Sequence, residues 1–197
     1  MTSKVFDPTT GLTNDLDELR DGKPFMRKIL KNIPCQMQAI EIKISQILLN
    51  NPHKNIVKIY EVKQPTIDCD GYIDSELLEP LLDENGRFIK SNIEHIDRLQ
   101  EDLTDGLIHL HNNWIVYIDL HTGNVGWSKY YDCWKIFDFN MSGIVKENTN
   151  EWSHEPSKGI YYNAMLEQSY IFEYDNIALA LFEREKNRLL KNNDISI

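Results

Sequence analysis

Apolar and polar positions change their period several times along the chain, and each change marks an element. Up to about residue 30, short apolar stretches alternate with turn signals at Pro8 to Gly11 and at Asp21-Gly22, which predicts a meander of small strands. Asp21-Gly22 is a hairpin signal, with Phe25 to Leu30 as the strand that follows it. Across residues 36–50, Met37, Ile44 and Leu48 fall on one helical stripe, with Ile40 and Ile47 beside it. Asn50 to Lys54 breaks that pattern, Asn55 to Val62 alternates as a strand, and Gly71 to Leu78 reads as another. Ile93, Ile96, Leu99, Leu103, Leu107 and Leu110 step by three and four, predicting one long amphipathic helix that ends near His111. Short strands are expected around Ile115 to Ile118, Val125 to Trp127 and Trp134 to Phe137, and Tyr174 to Leu190 is helical again. The order is a small β-rich region with one helix, then a helix-rich region carrying a few short strands.

Composition narrows the setting. A length of 197 residues suits one compact domain or two small lobes, and 41% apolar with 26% charged residues is globular chemistry. A formal charge of −10 argues against general affinity for nucleic acid or for an anionic membrane. No apolar run approaches the roughly 20 residues that span a bilayer. The first residues show no apolar signal-peptide core, so a cytoplasmic protein is expected. Cys35, Cys69 and Cys133 are odd in number and lack metal-site spacing, which predicts reduced thiols.

Candidate chemistry concentrates in Tyr117-Ile118-Asp119-Leu120-His121-Thr122-Gly123-Asn124 and in Lys135-Ile136-Phe137-Asp138-Phe139-Asn140. Asp119 and Asn124 stand five apart in the loop after the long helix, and Asp138 ends a predicted strand. These stretches resemble the protein-kinase superfamily, with its catalytic loop H-R-D-L-x-x-x-N and its metal-binding D-F-G. The resemblance implies an α+β, two-lobed protein-kinase-like fold forming a single domain over 1–197, with a small N-lobe to about residue 78 and a helical C-lobe from about 79. It implies transfer of the γ-phosphate of ATP, with Mg²⁺, to a hydroxyl group. Asp119 would orient or deprotonate the acceptor, while Asn124 and Asp138 would hold magnesium.

Gly22 to Lys28 resembles the turn and strand that carry the family's phosphate-binding lysine, which makes Lys28 that residue. Glu41 is the one carboxylate of its helix and falls within the apolar stripe, where an unpaired charge would be costly. Either Lys28 is its partner, matching the lysine–glutamate pair of kinases, or Glu41 sits at a solvated margin. His53 to Ile59 resembles the H-x-N-I-V stretch after that helix. Tyr72 to Leu78 resembles the hinge strand, with Ser75 at the gatekeeper position and the backbone of Glu76 and Leu78 facing adenine. Tyr174 to Leu181 resembles the start of the family's helix αF, with Asp175 either bracing the catalytic-loop backbone or simply favoured by the helix dipole.

The chain also departs from the family. Only Gly11 stands for the glycine-rich loop, in Asp7-Pro8-Thr9-Thr10-Gly11, although Thr9 and Thr10 offer hydroxyls. Tyr117-Ile118-Asp119 replaces His-Arg-Asp, so any activity is expected to be independent of activation-loop phosphorylation. His121 stands where serine/threonine kinases carry lysine, as in small-molecule kinases of the aminoglycoside and choline phosphotransferase type. Asn140 replaces the glycine of D-F-G, a mild change for a residue that tolerates positive φ. His154-Glu155-Pro156 is the nearest stretch to A-P-E, and the sequence stops soon after helix αF. These traits resemble the stripped-down kinases of large DNA viruses, which would place the protein in a host cytoplasm. A C-lobe truncated near αF would expose Ile177, Leu181 or Leu189, predicting a homodimer or a bound host protein at that face.

The resemblance favours a serine/threonine protein kinase, with the hydroxyl of a protein or of a small molecule as acceptor. Two other readings compete. A pseudokinase would use the fold as an interaction surface, but it would need none of Lys28, Glu41, Asp119, Asn124 and Asp138. A metal-dependent hydrolase would use His109, His111, Asp119 and His121, although residues two apart on a helix do not share a face.

Overall fold

The computed structural model describes residues 4–7, 11–14, 20–31, 36–156 and 171–192. Thr9, Thr10 and Cys35 lie outside the described residues. Strands β1 (Lys4–Asp7) and β2 (Gly11–Asn14) form an antiparallel pair that begins at Asp7↔Gly11, and β1 runs beside β3 (Phe25–Leu30). The turn before β3 is closed by two backbone hydrogen bonds between Arg20 and Lys23. Asp21 (φ 52°) and Gly22 (φ 72°) both take positive φ there, the two-residue turn whose twist matches a hairpin.

Helix α1 (Gln36–Asn50) follows, then β4 (Ile59–Lys63) and β5 (Gly71–Glu76). They make an antiparallel sheet in the order β3-β5-β4, with Phe25 opposite Glu76 and Leu30 opposite Gly71. Helix α1 packs on β4; of the stripe read from the sequence Ile44 and Leu48 are buried and Met37 is half-buried, and Ile40 beside the stripe is buried with them. The strand expected from Asn55 begins four residues later. Asn55 to Val57 pairs instead with the distant β9, through Val57 N–H to the Ile136 carbonyl (2.9 Å) and Ile136 N–H to the Asn55 carbonyl (3.0 Å).

Strand β6 (Glu79–Pro80) leads to α2 (Lys90–Ile93), a 3₁₀ turn (Ile96–Arg98), α3 (Leu99–Asn112) and β7 (Ile115–Val116). The single helix expected from Ile93 is therefore broken at Glu94 and His95. The His95 carbonyl accepts the Trp134 indole N–H (2.8 Å), and its ring stacks on Trp127 at 4.0 Å, so tertiary packing claims that turn. Strands β8 (Val125–Ser128) and β9 (Cys133–Ile136) form a hairpin against β6 in the order β6-β8-β9, and α3 crosses β9. Gly106 lets α3 come close, since a Cβ there would lie 3.1 Å from the Asn55 carbonyl.

Strands β10 (Gly143–Val145) and β11 (Trp152–His154) join β7 in a third small sheet, and α4 (Glu173–Asn192) packs across α3. One contiguous apolar core reaches from Leu30 and Ile44 through Leu103, Leu107 and Trp134 to Phe182 and Leu190. A second, smaller cluster gathers Val116, Ile118, Val145 and Phe172. The architecture is α+β, with small sheets and few helices, and is compatible with a kinase-like fold. On α4, Leu181 is 44% exposed. Ile177 and Leu189 are not, because each packs against a core cluster. Among the described residues no helix is long and apolar enough to cross a membrane.

Candidate functional site

Three segments remote in sequence meet beside the β3-β5-β4 sheet. Lys28 projects from β3, Glu41 from the second turn of α1, and Asp138 from the segment just past β9. The Lys28 ammonium donates to Glu41 Oε1 at 2.6 Å and to Asp138 Oδ1 at 3.1 Å. Glu41 is buried, so the solvated-margin reading of it falls away. Burial pushes its carboxyl up to about 7, with the Asp138 charge adding to the shift and Lys28 opposing it. Burial pulls the Lys28 ammonium down, but the two carboxylates outweigh that and hold it above its ordinary value. Asp138 takes φ 61°, a conformation uncommon for a non-glycine residue and one that concentrates at functional sites.

These groups line a cavity of about 320 Å³ with apolar side chains such as Val57, Ile59, Ile73 and Phe139 and with the polar Gln38 and Asn140. Ser75 and Ser45, both small and buried, contribute to its inner wall. Among the described residues Glu41 Oε2 is buried and meets no hydrogen-bond partner. Leu78 and Glu76 line a separate cavity of about 70 Å³ with Met26, Val57 and Phe137. The Glu76 side chain is committed elsewhere, paired with the buried Lys135 at 2.8 Å and accepting from Ser128 Oγ, and its N–H donates to the Lys58 carbonyl. Gly11 opens β2 opposite Asp7.

A second group forms in the loop after β7. The Asn124 amide nitrogen donates to Asp119 Oδ2 (3.0 Å) and to the Asp119 carbonyl (3.1 Å). His121 Nδ1 accepts from Gly123 N–H and so caps the short 3₁₀ turn at Thr122–Asn124. Its Nε2 lies 3.6 Å from Asp119 Oδ2, and that carboxylate raises the imidazole above its ordinary value against the opposing effect of burial. Asp119 and His121 face a cavity of about 80 Å³ shared with Leu181 and Glu185 of α4. The two groups are tied by Phe137 N–H donating to the Asn124 carbonyl (3.1 Å), one residue before Asp138.

Behind the loop stands a brace that the sequence only partly announced. Asp175, at the start of α4, is fully buried. Its carboxylate accepts Tyr117 N–H (2.9 Å) and Ile118 N–H (2.6 Å), the backbone leading into Asp119. His111 Nε2 lies 2.7 Å from the same carboxylate, a contact absent from the reading of His111 as a helix-end residue. Ile118 is held at φ 69°. The Tyr117 hydroxyl donates to the Phe137 carbonyl, and its ring meets Phe139 edge-on at 5.7 Å, locking the loop to the segment around Asp138. The apolar stretch Ile115 to Ile118, with Tyr117 inside it, was the signal the sequence offered for these links.

The histidines do not assemble a metal centre. His109 stacks on His53 at 4.6 Å and bonds the Asn51 carbonyl, His111 meets Asp175, and His121 meets Asp119. Among the described residues no group of three or more His, Cys, Asp and Glu side chains could hold a metal ion, so His109, His111, Asp119 and His121 do not form the cluster that the hydrolase reading needs. Asn124 and Asp138 supply two side-chain oxygens, and the Asn124 oxygen is the end of that amide not bonded to Asp119. Each is a hard oxygen of the kind Mg²⁺ accepts, an ion that binds few protein ligands and fills its remaining positions with phosphate and water.

No family model matches the chain. It is 29% identical over 130 residues to serine/threonine-protein kinase 17A of Oryctolagus cuniculus, an alignment covering 63% of this chain. The chain spans about a third of that relative's length (32%). This distant, partial likeness supports a kinase-like relation.

Proposed function

We propose that the protein is an ATP- and Mg²⁺-dependent phosphotransferase with a two-lobed kinase-like architecture, acting on the hydroxyl of a protein serine or threonine. The observation that carries this reading is the Lys28 ammonium clamped between Glu41 and Asp138, one hydrogen bond away from the loop that holds Asp119 and Asn124. Phosphoryl transfer needs little covalent chemistry from a protein; it needs charge stabilisation and positioning. Lys28 would meet the α- and β-phosphates, with Glu41 fixing its direction. Asn124 and Asp138 would hold Mg²⁺, which neutralises charge on the phosphates. Asp119 would accept the proton of the attacking hydroxyl, its carboxylate aimed by Asn124 and its backbone by Asp175. The serine/threonine name of the distant relative supports a protein acceptor.

The test is thermal stabilisation by Mg·ATP followed by ³²P transfer to a mixed protein substrate. Asp138→Ala is expected to abolish the stabilisation, and Asp119→Asn to keep binding while transfer falls by about 100-fold or more. A wild-type protein that Mg·ATP leaves unstabilised overturns the reading. Binding without transfer would leave a nucleotide-binding interaction module.

A further inference from the structure

The turn joining β8 to β9 carries two adjacent tyrosines, Tyr130 and Tyr131, which are 50% and 41% exposed. The Lys23 ammonium sits over both rings, 4.5 Å from the Tyr130 centroid and 4.8 Å from that of Tyr131. A cation over the face of an aromatic ring is attracted by the ring's quadrupole, and here one cation is held by two.

Both ends of this contact are braced. Tyr131 N–H donates to Ser128 Oγ, and Asp132 N–H to the Ser128 carbonyl, while the Lys135 ammonium lies 4.0 Å from the Tyr131 ring. On the other side, Asp21 in the same turn as Lys23 bonds Lys58 at 2.6 Å. The clasp also has a particular place in the fold. Lys23 stands five residues before Lys28, in the turn that opens β3, and Tyr131 stands seven before Asp138, in the turn that opens β9. The two chain segments that supply Lys28 and Asp138 are therefore fastened twice, at the site by Lys28–Asp138 and at their outer turns by Lys23–Tyr130/Tyr131.

We propose that Lys23 is a positioning residue, clasped by Tyr130 and Tyr131 to fix the spacing between the strand bearing Lys28 and the strand leading to Asp138. Its geometric part stands alone; its kinetic part rests on the phosphotransferase reading. Loss of an ammonium from two rings changes a closed-to-open population by about fivefold to tenfold.

The spacing is read through the elements that carry the two strands, by pulsed electron–electron resonance between nitroxides on the exposed Cys69, in the β4–β5 connection of the sheet that contains β3, and on Ile108→Cys, half-exposed on the helix α3 that packs on β9, with Cys35→Ser to remove one thiol. Lys23→Gln is expected to broaden the distance distribution. Lys23→Arg keeps a cation for the rings and is expected to preserve the wild-type distribution, and Tyr130→Leu/Tyr131→Leu should broaden it without a further effect from Lys23→Gln. An unchanged distribution in Lys23→Gln overturns the clasp, whatever the protein does with nucleotides. In turnover, Lys23→Gln should raise KM for Mg·ATP about fivefold with a smaller effect on kcat, and Lys23→Arg should reverse it. Broadening by Lys23→Gln in a protein whose wild type neither binds nor transfers phosphate would uphold the clasp and remove the phosphotransferase.

Discussion

Replacing Asp175 by alanine removes the acceptor for two buried backbone N–H groups and for His111 together. Each buried donor left unsatisfied costs about 1–3 kcal/mol, and breaking a buried charged contact is similarly expensive, so the loss should be about 3–5 kcal/mol. That is a large share of the roughly 5–15 kcal/mol that holds a domain together. Asparagine keeps an accepting oxygen and loses the charge, and should cost about 1–2 kcal/mol. A carboxylate serving only the dipole of α4 would contribute about 0.3–1 kcal/mol, and the two roles therefore separate by magnitude. Urea denaturation followed by tryptophan fluorescence gives the stabilities, since the chain carries four tryptophans. Hydrogen exchange adds a local reading, in which the Tyr117 and Ile118 amides should be protected in the wild type and exposed in the alanine variant. An alanine variant within about 1 kcal/mol of wild type, with those amides still protected, would refute the brace.

Three further outcomes are expected. Carbon-detected NMR of labelled glutamate should show Glu41 titrating near 7 rather than 4.5. Asp138→Asn should lower that midpoint and Lys28→Met should raise it, and the reverse order would contradict the site's electrostatics. Burial, and then His109, hold His53 below its ordinary 6.5, so its neutral form belongs to the fold. Its contribution is complete above 6.5 and is lost as pH falls below it, whereas His121, raised by Asp119, loses its contribution as pH climbs through its folded value. The wild type should accordingly lose more Tm than His53→Asn between pH 7.5 and 5.5, and parallel curves would count against the His53–His109 stack as a pH-sensitive contact. Lys135→Ala strands the buried Glu76 and should cost about 3–5 kcal/mol, while Lys135→Met with Glu76→Leu should be near neutral. Equal losses in the two proteins would show that the charge pair is not what matters there.

The legible parts of this fold are those decided locally. Helix α1 starts and stops where its stripe does, and Asp21-Gly22 makes its turn because both positions accept positive φ. Glu41 could be placed because an apolar stripe and a carboxylate conflict unless a cation arrives. What stayed hidden depends on partners far along the chain. Asn55 to Val57 has strand character, but β9 captures it ahead of β4. The Ile93 to Leu110 pattern keeps its period while the helix breaks, because period records which side is buried and not whether Trp134 will take a carbonyl. Leu189 and Leu181 look alike in sequence, and only the course of α4 across α3 makes one packed and the other open. Tyr117 replaces a histidine of the resembled family, yet its hydroxyl ties the loop to Phe137, a role that residue type alone did not disclose.

The larger apolar cluster, which links Leu30 to Leu190, has a consequence for how the protein is made. A ribosome adding about 5–20 residues per second takes roughly 10–30 s to pass from the first of these positions to the last. Throughout that interval β3 and α1 exist without the full core they will join. The β4–β5 hairpin can form early and β3 can then pair with β5, but the core cluster these strands share with Phe182 and Leu190 is completed only when α4 emerges. The nascent chain therefore carries exposed Ile and Leu side chains for tens of seconds, and its yield in the cell should follow chaperone supply more closely than the stability of the finished fold.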